Sequence, residues 1–85
     1  MIFERDIGYM FALAETLQKS GFFAVPATTL KEAESLLDAL GVIADALLVN
    51  PDLPEAEIVG SRLRERNPAL RIIPLDTGWI PSRIE

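Results

Sequence analysis

Eighty-five residues allow one small domain, and a net charge of −5 argues against a nucleic-acid binder, which needs clustered Lys and Arg to grip phosphates. The absence of cysteine and histidine excludes disulfide staples, thiol chemistry and imidazole-based metal or proton chemistry. No apolar run reaches the ~18 residues needed to span a bilayer, and Met1-Ile2-Phe3-Glu4-Arg5-Asp6 has no signal-peptide pattern, so no membrane association, no metal, no cofactor and a cytoplasmic setting are expected.

Ile2 and Phe3 supply a stub of a first strand. From about Asp6 to Ser20, Met10, Leu13, Ala14 and Leu17 recur at helical spacing, and Gly21 suits the end of that helix. Phe22 to Val25 is a short β-prone run closed by Pro26. Thr29-Leu30-Lys31-Glu32 then fits a capping box, with Thr29 accepting from the Glu32 amide and Glu32 reaching back. Leu30, Ala33, Leu37 and Leu40 form the expected buried stripe of the second helix, and Gly41 stops it.

Ala44 to Val49 is apolar except for Asp45, the length and pattern of a strand covered on both faces. Asp45 marks its entrance, and Asn50 its C-terminal end, where open α/β sheets place their ligands. Pro54 suits a first helical turn, and Glu55 and Glu57 suit the positive end of that helix dipole. Ile58, Val59 and Leu63 are expected to point inward, and Arg62, Arg64 and Arg66, interleaved with Glu65, read as a solvated face with local ion pairs. The helix ends at Asn67-Pro68. Leu70 to Leu75 is a fourth strand, Asp76-Thr77-Gly78 a turn, and Trp79 to Glu85 a tail without a period.

This alternation predicts an α/β fold, an open parallel sheet of about four strands with helices on both faces, over residues 1–78, followed by a tail over 79–85. Pro74 fits an edge strand, where its missing N–H removes no ladder bond. At 49% hydrophobic the chain is rich for its size, which points to apolar surface reserved for a partner.

The stretch Ala44-Asp45-Ala46-Leu47-Leu48-Val49-Asn50-Pro51-Asp52-Leu53-Pro54 closely resembles the third strand and following loop of a response-regulator receiver domain. Gly21 to Val25 resembles that family's second strand, and Arg62 to Pro68 followed by Ile72-Ile73-Pro74-Leu75 resembles its third-helix exit and fourth strand. The resemblance implies a flavodoxin-like, receiver-like fold that lacks the last α-β-α portion, and a two-component signalling context. It also implies a site in which two acids after the first strand hold Mg²⁺ beside an acceptor aspartate. A Thr or Ser after the fourth strand and a lysine after the fifth complete that site. Asn50 stands at the acceptor position with Pro54 four residues later, and an amide has no anionic oxygen to attack phosphorus. Glu4 and Asp6 are either a remnant of the acidic pair or solvent-facing residues that open the first helix. Asp76 falls at the Thr/Ser position, or Thr77 does after a slip of one residue. Asp52 reads as a turn or N-cap residue, and the lysine position lies beyond the chain given.

The expected function is therefore that of a non-phosphorylatable pseudo-receiver, not an enzyme, acting as an interaction or regulatory module with an unknown protein partner or as a homodimer. The alternatives are an atypical phosphoacceptor using a displaced aspartate, Asp52 or Asp76, and a fragment of a larger response regulator. Trp79, Ile80 and Ile84 are the expected interaction residues, packing on their own domain, on a second copy or on an external partner.

Overall fold

The computed structural model describes residues 1–75. Its elements are β1 (Ile2–Phe3), α1 (Ile7–Lys19), β2 (Pro26–Ala27), α2 (Leu30–Leu40), β3 (Ala46–Val49), α3 (Ala56–Arg66) and β4 (Arg71–Pro74). The four strands are all parallel, in the order β2-β1-β3-β4, a flavodoxin-like arrangement.

Period-two alternation along the strands sorts the core into two layers. Ile2 and Leu48 face α1, which buries Met10, Leu13, Ala14 and Leu17 against them. Phe3, Leu47 and Val49 face the other way, onto Ala33 and Leu37 of α2 and Val59 and Leu63 of α3. Helices therefore cover both faces, and the central strands read as continuous apolar runs because both of their sides are dry.

Local signals set the helix ends. The Thr29 hydroxyl accepts from the Glu32 amide at 3.1 Å, while the Glu32 carboxylate reaches back one residue further than a capping box requires, to the Thr28 amide at 3.0 Å. Both α1 and α2 end in Schellman motifs. The Gly21 and Phe22 amides donate to Gln18 and Leu17, and the Gly41 and Val42 amides donate to Asp38 and Leu37. Gly21 has φ of 91° and Gly41 has φ of 64°, left-handed values that disfavour a side chain.

The second strand lies later than the β-prone run predicts. Phe22 and Phe23 are exposed, and pairing begins only when the Val25 carbonyl accepts from the Ile2 amide at 2.8 Å. The Schellman turn still directs the chain at Phe22, so the run is spent on leaving the helix. Leu40 and Ile58, expected inward, are also exposed, because each falls at the edge of its helix's buried stripe.

Both edge strands carry a proline whose ring replaces an outward-facing donor. Val25 and Ala27 turn their carbonyls toward β1, so Pro26 between them faces away. Arg71 and Leu75 donate to Asp45 and Val49 of the β3 side, so the nitrogen of Pro74 also points off the sheet.

Candidate functional site

The crevice lies at the C-terminal ends of the two central strands. β1 and β3 run side by side until the Asn50 amide donates to the Phe3 carbonyl at 3.0 Å. The next side chains, Glu4 and Asn50, then meet across the strand ends. The Asn50 Nδ2 donates to Glu4 Oε1 at 3.1 Å. The same oxygen accepts from the Arg5 amide at 2.7 Å and more weakly from the Asp6 amide at 3.4 Å. Glu4 is the one buried charged side chain among the described residues, 6% exposed, and these three donors meet the cost of taking a carboxylate out of water.

The other end of the Asn50 amide is also engaged. Its Oδ1 accepts from the Asp52 amide at 2.9 Å, and its carbonyl accepts from the Leu53 amide at 3.2 Å, which turns the chain toward α3. Asparagine suits the position because it donates to one neighbour and accepts from the other. An aspartate there would bring a second carboxylate against Glu4 and leave the first contact without its proton.

The two acids after β1 do not act as a pair. Asp6 is exposed and caps α1, its Oδ1 accepting from the Tyr9 amide at 3.1 Å, while Glu4 turns inward. The intervening Arg5 leans toward Glu55 at 3.6 Å. Asp52 is exposed within the turn after β3. Among the described residues, no three Asp or Glu side chains gather as metal ligands would. The Mg²⁺ that the receiver resemblance implies does not fit this donor set: of the three side chains it would need, Asp6 is spent on a helix cap, and Glu4 and Asn50 are bonded to each other. Asp76, Thr77, Trp79, Ile80 and Ile84 lie outside the described residues.

A second link ties the start of α3 to the start of α2. Glu55 precedes α3 but makes no side-chain cap there. Its Oε2 instead accepts from the Leu30 amide at 3.0 Å, satisfying a free donor at the start of α2. The basic face of α3 likewise pairs across to α2 and not along its own helix: Arg62 meets Glu34 at 3.0 Å, and Arg66 meets Asp38 at 2.8 Å. Sequence spacing gives no sign of either link, since both span about a third of the chain.

Compared with known proteins, the chain matches no family model, no curated protein and no solved structure. Among the described residues, no helix is long and apolar enough to cross a membrane.

Proposed function

We propose that this chain is a receiver-like protein-interaction module whose phosphoacceptor position has become a structural joint. The reading rests on the bond between Glu4 and Asn50. It uses the side chain at the acceptor position to tie β1 to β3, and it consumes the carboxylate that would otherwise hold a cation. The carboxamide of Asn50 offers no anionic oxygen for phosphoryl transfer. What remains is a scaffold that presents surface, and α1 supplies it: Ile7 and Phe11, one turn apart, are 55% and 58% exposed. A partner that packs on these two residues would bury an apolar pair that water now covers.

The test is an amide NMR titration with Mg²⁺ and beryllofluoride. No saturable, localised shift is expected at Glu4, Asn50 or Asp52. Such a shift would overturn the reading, as would base-labile phosphate incorporated from acetyl phosphate, which would point to Asp52 or Asp76 as a displaced acceptor.

A further inference from the structure

At the end of the sheet opposite Asn50, where the chain enters β2, β3 and β4, lies a cavity of about 560 Å³. Ile2, Leu48 and Ile73 line it, and Phe22, Phe23 and Ile43 stand at its mouth, 55%, 70% and 63% exposed. Three large apolar side chains in contact with water are thus gathered at one end of the molecule. Ile7 and Phe11 take no part in this lining. Asp45 and Arg71 complete the mouth, both exposed. They sit side by side, the Arg71 amide donating to the Asp45 carbonyl at 3.1 Å. Neither side chain makes an ion pair among the described residues.

We propose that this end of the sheet is the contact surface between two copies of the chain. Each copy receives the other's Phe23 and Ile43 at its cavity mouth, and Asp45 of each faces Arg71 of the other. Three observations favour a second copy as the occupant. The surface complements itself, as a two-fold contact requires: it offers an apolar recess with protruding apolar side chains, and an unpaired anion beside an unpaired cation. Because Asp45 and Arg71 are neighbours, one two-fold axis at that point forms both charge pairs and fixes the register of the contact. A small ligand has less to hold it, since no polar or charged side chain is buried in the lining. The area sets the strength. At about 150–250 Å² per aromatic side chain, Phe22 and Phe23 leave on the order of 250 Å² per copy in water. Two copies then bury about 500 Å² of phenyl surface before Ile43 and the walls are counted, the scale of a weak, exchanging dimer. The inference does not depend on the receiver-like reading, because its test reads mass and the beryllofluoride test reads Asn50.

Light scattering on the full chain from about 1 μM to about 1 mM, the span over which a contact of this size fills, should show mass rising from monomer toward dimer. Phe23→Asp, at an exposed position, should keep the chain monomeric over that span with unchanged far-UV circular dichroism. Asp45→Arg leaves two cations at the mouth and Arg71→Asp two anions, so each variant alone should dimerise about tenfold more weakly. Mixed in equal amounts, the two variants restore both charge pairs and should regain the dimer. A chain that stays monomeric to about 1 mM overturns the proposal. Saturable amide shifts at Ile2, Leu48 and Ile73 on adding indole to that monomer would assign the cavity to a small apolar ligand instead. A dimer that Phe23→Asp leaves intact overturns the proposal by placing the contact on another surface. Charge variants that do not recover on mixing overturn the reciprocal pairing of Asp45 with Arg71.

Discussion

The side-chain amide of Asn50 and the carboxylate of Glu4 sit 3.1 Å apart, donor to acceptor, at the point where β1 and β3 part. Asn50→Asp replaces that donor with a second carboxylate beside a buried one, so the pair takes up a proton on folding. The folded state then binds more protons than the unfolded state, and stability falls as pH rises. The variant is expected to lose about 2–3 kcal/mol near neutral pH and to recover part of it toward pH ~5. Asn50→Ala should lose about 1 kcal/mol with little pH dependence, because Glu4 keeps its backbone donors. Urea midpoints at two pH values separate the cases; equal losses for both variants at both values would show that charge is not the issue.

Glu55 joins the start of α3 to the start of α2 through the Leu30 amide. Removing a helix-cap acceptor costs on the order of 1 kcal/mol. The contact with Arg5, at 3.6 Å between side chains 51% and 36% exposed, adds little in solvent. Glu55→Gln keeps an oxygen for Leu30 and should cost less than half of what Glu55→Ala costs in chemical denaturation. Equal losses would mean that the ion pair, and not the cap, carries the effect.

The local signals and the layer architecture of the parallel sheet were legible, and the side-chain partners that join one element to another were not. Thr29, Gly21 and Gly41 set helix ends through bonds spanning three to five residues, so spacing alone reveals them. Asn50 was recognisable as the end of a central strand, since a dry strand needs a continuous apolar run. Its bond to Glu4 was not: the sequence leaves Glu4 either a remnant of an acidic pair or a solvent-facing helix opener, and only the β1–β3 register brings it against the amide. Phe22 and Phe23 misled for a related reason. Their β-propensity is real, but the turn at Gly21 places them outside the ladder. Arg62 and Arg66 were expected to pair locally, and their partners, Glu34 and Asp38, lie instead on α2, visible only once the helices pack side by side.

Met1 makes the N-terminus part of the sheet. Its ammonium donates to the Ala46 carbonyl at 3.1 Å, and its own carbonyl accepts from the Leu48 amide at 2.9 Å. Burial pushes the amine below its ordinary 8.0, against a smaller opposing pull from Asp45. The unfolded chain therefore binds more protons than the folded one between that lowered value and 8.0, and stability from this group rises with pH across the window. Asp45→Asn removes the opposing charge and should lower the amine further. A direct NMR titration of the Met1 amine checks both points; an ordinary value in the unsubstituted chain would remove the burial argument.

Arg66 holds Asp38 below its ordinary 3.8, first through the 2.8 Å hydrogen bond and then through its charge. A depressed carboxylate stabilises the fold above its unfolded value, and that contribution is lost as pH falls through the folded one. Asp38 is a solvent-exposed group, so the effect belongs in its titration curve and not in the unfolding midpoint. Arg66→Gln should return Asp38 to its ordinary range. The same substitution should loosen the Glu34 side, which Arg66 also approaches at 3.6 Å, while Arg62 continues to hold Glu34 at 3.0 Å. Carboxyl-detected NMR across the acid range reads both residues at once. An Asp38 curve that is the same with and without Arg66 would mean that the inter-helix pair does not persist in solution.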